Sequence, residues 1–142
     1  MLRMFSVVCA LLLGASFVYA QSAAIAGRKD IFKGFGAAAR EPGAMLKGEA
    51  AFDLAKVQNF LKVVQDGSPK LKALFPADSK SGDTKALPAI WDNQADFSGR
   101  FDKMAADATA AAAAIKDEAS FKTELPKVLG NCGGCHRQYR AQ

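Results

Sequence analysis

From residue 22 onward, apolar residues recur at three- and four-residue intervals in four stretches, and nowhere do they alternate as in a half-buried strand bounded by hairpin turns. The first stretch, residues 22–40, sets Ala24, Arg28, Ile31, Phe32, Phe35, Ala38 and Ala39 on one stripe before Glu41-Pro42-Gly43 ends it. The second begins at Asp53, an N-cap residue flanked by Phe52 and Val57 as a hydrophobic staple. It buries Leu54, Val57, Leu61 and Val64, and Asp66-Gly67-Ser68-Pro69 stops it. About twenty residues rich in Pro, Ser and Gly follow, a connection long enough to suggest a functional loop or a crossover around something bulky. The third helix, residues 88–116, carries Phe97, Phe101, Met104, Ala108, Ala111, Ala112 and Ile115 on one face. The last, residues 120–140, places Phe121, Leu125, Val128, Leu129, Cys132, Cys135, His136 and Tyr139 on one stripe. Pro126 there predicts either a kink or a start near Glu124. The fold class predicted is all-α, a four-helix bundle.

A chain of 142 residues is the size of one domain, and its 50% hydrophobic and 23% charged residues suit a globular protein. The net charge of +5 is spread along the chain without a dense basic run, so no nucleic-acid partner is expected. The amino terminus reads differently from the rest. Arg3 precedes a mostly apolar run over residues 5–13, and Val18-Tyr19-Ala20 resembles a cleavage site, so residues 1–20 are expected to be a secretory signal peptide and residues 21–142 the domain. The apolar run is about half the roughly twenty residues that a spanning helix needs, and no membrane insertion is expected. Beyond the leader only Cys132 and Cys135 remain as cysteines, in a protein bound for an oxidising compartment, the periplasm in a Gram-negative bacterium.

Those two cysteines form Cys132-Gly133-Gly134-Cys135-His136, the C-x-x-C-H spacing of covalent haem attachment. Two thiols at this separation add to the two vinyl groups of one porphyrin, and the adjacent imidazole becomes the proximal iron ligand. The expected cofactor is one haem c, attached through Cys132 and Cys135, with His136 as metal ligand. A thioredoxin-like dithiol would need a βαβ context, and a tetrahedral zinc site would need four ligands where three exist. A simple disulfide is the remaining alternative. His136 is the only histidine, so two histidines of one chain cannot both hold the iron. A His/Met centre would need Met45 or Met104; without either the iron is five-coordinate. A cofactor wedged between helices predicts a cavity bounded by Phe32, Trp91, Met104 and His136.

The chain resembles the class II c-type cytochromes, specifically the cytochromes c prime, from about residue 25 to residue 140. The resemblance rests on Arg28-Lys29-Asp30-Ile31-Phe32, on Gly48-Glu49-Ala50-Ala51-Phe52, and on Leu74-Phe75-Pro76 leading to Gly82-Asp83. Leu87-Pro88-Ala89-Ile90-Trp91 and the C-terminal Cys-Gly-Gly-Cys-His-Arg-Gln-Tyr-Arg complete it. It implies an antiparallel up-down-up-down bundle, a topology of which this family is itself a standing example. It further implies that Phe32 stands over the distal haem face, that Arg28 contacts a propionate, and that Lys29 and Asp83 or Thr84 lie near the haem edge. Trp91 is implied to pack against that edge, and Arg140 to lie beside the proximal pocket. Phenylalanine cannot ligate iron, so the resemblance implies a high-spin centre that binds nitric oxide or carbon monoxide and exchanges single electrons with a redox partner. The alternative is a low-spin electron carrier with a methionine ligand. No enzymatic activity is expected, since no second histidine is present to act as a distal acid or base. Many relatives dimerise through first-helix faces and others are monomers, so a homodimer is one expected form.

Overall fold

The computed structural model describes the backbone from Leu2 to Gln142 and the side chains from Gln21 onward. The signal peptide read over residues 1–20 lies outside the described side chains. The helices are α1 (Leu2–Leu46), α2 (Leu54–Leu71), the short α3 (Ala89–Asp92), α4 (Gln94–Ala114) and α5 (Glu118–Tyr139). Helix α1 packs on α2, α2 on α4, and α4 on α5, while among the described residues α1 and α5 share no comparable interface. Among the described residues no strand forms, the one β-bridge joins Ala86 to Arg140, and no helix is long and apolar enough to cross a membrane.

Three sequence boundaries move, each because burial outweighs a local breaker. Helix α1 continues through Pro42 to Leu46, since Pro42 and Met45 are buried in the core and repay the missing backbone hydrogen bond. It stops where Gly48 takes a φ of 75°, with the Gly48 and Glu49 amides donating to the carbonyls of Met45 and Ala44. Helix α2 starts after the Asp53 cap as expected, but runs through Asp66-Gly67-Ser68-Pro69 to Leu71. There Ser68 Oγ donates to the Val64 carbonyl at 2.6 Å, and Leu71 is fully buried. Leu54, expected in the core, is only partly buried, and Phe60, unassigned by the pattern, is buried. The expected third helix breaks at Asn93, whose backbone leaves the helical region with φ −128° and ψ 46°, giving α3 and α4. Helix α5 begins earlier than either reading of Pro126 allowed. Asp117 caps it by accepting from the Ser120 amide at 2.8 Å in a reciprocal capping box, and Pro126 sits within the helix on its exposed side.

Gly67 lets α2 approach α1 closely: a Cβ there would fall 2.5 Å from Phe35 Cε1 and 3.1 Å from Ile31 Cγ2. Gly67→Ala gains helix propensity but forces Phe35, itself buried, off its seat. The expected net loss is about 1–2 kcal/mol by urea denaturation, overpacking outweighing the helical gain. A variant as stable as the wild type would show that α1 can shift at no cost.

The long connection between α2 and α3 is ordered around one side chain. Arg28 is 2% exposed and reaches out of α1 into this segment. Its Nη1 donates to the Leu74 carbonyl at 3.1 Å and to Ser79 Oγ at 2.9 Å, and its Nη2 to the Ser79 carbonyl at 3.0 Å and to Thr84 Oγ1 at 2.8 Å. The guanidinium also lies 4.5 Å over the Phe75 ring. A charged group can be buried here because its terminal nitrogens find acceptors and an aromatic face.

Candidate functional site

The C-terminal turns of α5 carry the attachment motif. Cys132 and Cys135 are free thiols, both half-buried, and burial pushes both thiols up, so they are held neutral. Cys135 packs against the edge of the core. His136 is exposed; partial desolvation of its ring, followed by the charge of Arg140, pulls its pKa down and favours the neutral imidazole that ligates metals. The stripe expected for α5 is thus rotated. Phe121, Leu125, Val128 and Tyr139 are buried, whereas His136 faces outward and the cysteines sit on the boundary.

Neighbouring helices hold this turn in place. Asn131, next to Cys132, donates to Asp107 Oδ2 on α4 at 2.8 Å, and Lys103 bonds the same oxygen at 2.5 Å. These bonds hold the Asp107 carboxyl below the usual carboxylate range, Asn131 contributing most. A carboxylate depressed in the folded chain contributes stability above its ordinary pKa and loses it as the pH falls through the depressed value. Asp107→Asn is therefore expected to lower stability at neutral pH and to flatten the acid limb of the stability curve below about pH 4. Parallel acid titrations of unfolding check this; an unchanged acid limb would remove Asp107 from the account.

A second clamp, which the sequence pattern did not single out, lies on the other side of the motif. Asp96 accepts from the Tyr139 hydroxyl at 2.5 Å and from Arg100 Nε at 2.8 Å, and these bonds hold its carboxyl low. Arg100 stands 5.2 Å over the Tyr139 ring, donates to Gln138 Oε1 at 2.8 Å, and brings Nη1 to 3.9 Å from where a Gly134 Cβ would be. The i, i+4 spacing of Asp96 and Arg100 was legible. Their reach across to α5 was not, because it depends on how α4 and α5 pack.

The remaining predicted residues are spread over several places. Lys29 and Asp83 pair with each other at 2.6 Å, both exposed, beside a cleft of about 450 Å³ floored by Ile25 and Gly82. Thr84 accepts from Arg28 as described, so Arg28 is no snorkelling surface residue. Its terminal nitrogens are satisfied within the chain, and its burial needs no propionate to explain it. Trp91 Nε1 donates to the carbonyls of Phe75 and Pro76, both at 3.1 Å, and its ring is tilted against Phe75 at 6.4 Å. Phe32 is partly buried and meets Phe35 edge-on at 6.1 Å. Arg140 is exposed at the end of α5, where its backbone bridges Ala86. The sequence predicts a cavity among Phe32, Trp91, Met104 and His136. The cleft beside Lys29 touches none of them, and Met104 is packed into the core. Phe32, Trp91, Cys132 and Cys135 are each part-exposed.

The donor set suits a porphyrin attached at its edge. Two unpaired thiols stand one helical turn apart with an accessible imidazole beside the second. It does not suit a protein-caged metal ion, since the described residues hold no group of three His, Cys, Asp or Glu side chains that could surround one.

Comparison with known proteins agrees with this reading. The sequence profile of the family Cytochrome C' matches residues 23–140. A cytochrome c' of Rhodopseudomonas palustris is 52% identical over 142 residues, covering 99% of this chain and 97% of the relative. A solved structure of cytochrome c' from Rhodopseudomonas palustris superposes with a TM-score of 0.82 at 56% identity, over 84% of this chain and 96% of that one. Cytochrome c prime from Shewanella frigidimarina superposes with a TM-score of 0.79 at 31% identity, over 86% and 97%. The chain belongs to the cytochrome c' family of four-helix-bundle proteins, and with that membership goes covalently bound haem of the c type.

Proposed function

We propose that this is a periplasmic haem protein with one haem held by Cys132 and Cys135, whose iron has His136 as its only protein ligand, binds nitric oxide or carbon monoxide, and exchanges single electrons. When bound, the haem supplies an iron that cycles between ferric and ferrous and accepts a small diatomic molecule on its free face. The observation that carries the reading is the lack of a second protein donor. His136 is the sole histidine, and Met45 and Met104 are only 4% and 7% exposed. Met45 lies at the end of α1, the opposite end of the bundle from His136, and Met104 is locked among core side chains of α4. Phe32, by family resemblance the distal residue, offers an apolar ring that can shield a small ligand and cannot donate to iron. With His136 the single histidine of the sequence, no second imidazole is available as a distal general base, and we assign no catalytic turnover. The leader over residues 1–20 supports export to the periplasm.

The test is the visible spectrum of the haem-loaded protein, ferric and ferrous, with and without carbon monoxide or nitric oxide. High-spin bands that shift with gas are expected. Sharp low-spin bands indifferent to gas would replace the reading with a six-coordinate electron carrier. Phe32→Met is expected to convert a substantial fraction to low-spin bands and to slow carbon monoxide binding. An unaltered spectrum would show that position 32 does not face the iron.

A further inference from the structure

A metal-ligating histidine ordinarily takes its direction from an acceptor that holds its second ring nitrogen. Among the described residues the His136 ring forms no hydrogen bond, so its direction is left to the backbone of the last turns of α5. Those turns are gripped from α4. Asp96, Arg100, Lys103 and Asp107 stand at i, i+4, i+7 and i+11, the spacing of one helix face. Ahead of the motif Asp107 accepts from Asn131; behind it Arg100 donates to Gln138 at 2.8 Å and Asp96 accepts from the Tyr139 hydroxyl at 2.5 Å. Cys132, Cys135 and His136 lie between these anchors. On the segment before α3, the Leu87 amide donates to the Tyr139 carbonyl at 3.0 Å, and within α5 the Arg140 amide closes on the His136 carbonyl at 3.2 Å.

We propose that Asp96 and Arg100 are positioning residues for His136: by holding Tyr139 and Gln138 they fix the rotation of the last turn of α5, and with it the direction in which the imidazole meets the iron. The proposal rests on the reading of His136 as the only protein ligand of that iron. Stability alone does not account for the arrangement. The Tyr139 ring is already buried and packed edge-on against Phe97 at 5.0 Å, contacts that a phenylalanine would keep. The Asp96 and Arg100 side chains are 54% and 32% exposed, and an ion pair so open to water adds little to the fold. What these bonds add is direction. Asp96 accepts from both Tyr139 and Arg100, and Arg100 in turn reaches Gln138, a linked set of bonds that a turn of α5 about its own axis would break.

The test is the iron–histidine stretching band of the ferrous, haem-loaded protein, read by resonance Raman spectroscopy in the wild type, Tyr139→Phe, Asp96→Asn and Asp53→Ala. Tyr139→Phe keeps the buried ring and removes only the hydroxyl, so the core packing is retained. Both clamp variants are expected to shift or broaden the band. Asp53→Ala removes the N-cap of α2 and lowers stability without touching the clamp, and it is expected to leave the band in place. Hydrogen exchange on the same samples should show protection over residues 136–140 falling by up to about tenfold in Tyr139→Phe, with α2 unchanged. A band at the wild-type position in both clamp variants, a band moved as far by Asp53→Ala, or an even loss of protection over the bundle would overturn the proposal. A wild type that shows no iron–histidine band would instead overturn the five-coordinate reading of the iron, and the positioning proposal with it.

Discussion

Cys132→Ala/Cys135→Ala is expected to yield a chain that holds no haem after denaturation, whereas the wild type should keep its haem stain through a denaturing gel and weigh one haem more than the processed polypeptide. The effect is all or none because each thioether is a covalent bond, and iron–imidazole ligation through His136 alone does not survive unfolding. The single variants are expected to retain one linkage each at reduced yield. Both thiols are unpaired, half-buried and held neutral, and they stand on consecutive turns of one helix where two points of a planar ring can be reached. A wild-type mass two hydrogens below that of the bare chain would instead identify a Cys132–Cys135 disulfide and remove the haem reading. Intact mass and a haem stain on the same sample decide between the two.

The second large effect concerns Arg28. Arg28→Ala should destabilise the protein by about 3 kcal/mol, since it orphans acceptors on Leu74, Ser79 and Thr84 and leaves a void against Phe75. Arg28→Lys keeps the charge but cannot span all of these partners, and an intermediate loss of about 1–2 kcal/mol is expected. Urea denaturation gives the totals, and hydrogen exchange locates them. Protection should fall first over residues 72–84, and with it the support that the Phe75 and Pro76 carbonyls give Trp91. If Arg28→Lys matches the wild type, or if protection falls evenly over the bundle, Arg28 is not the pin of this connection. The propionate contact implied by family resemblance is separable from this role. It would appear as a change in the haem spectrum or potential of Arg28→Lys beyond what the loosened segment produces in a Ser79→Ala control.

Much of the molecule was legible in the chain. The 3.6-residue recurrence of Val57, Leu61 and Val64, or of Phe97, Phe101, Met104 and Ala108, has one physical solution, a helix with that face buried, and these residues are indeed core. The proposed attachment chemistry is equally local: five consecutive residues hold both thiols and the imidazole, so their spacing pointed to the cofactor class that family membership supports. The count of histidines excluded a second imidazole without any coordinates.

What the tertiary structure decided are matters of balance between distant groups. Pro42 and Asp66-Gly67-Ser68-Pro69 carry the local signature of helix ends, yet both are passed through, because Met45 and Leu71 gain more by burial than the backbone loses there. Asn93 breaks a helix that the apolar pattern would continue. The partners of Arg28 lie 46 to 56 residues away in a segment with no periodicity to read. The clamp of Asp96, Arg100 and Tyr139, and the backbone pairing of Arg140 with Ala86, exist only because α4, α5 and the connection before α3 pack together. Sequence by itself determined the elements and the chemistry, since both depend on neighbours within a few turns. Which charges are buried, which are paired and which are left facing outward was set by contacts between remote segments.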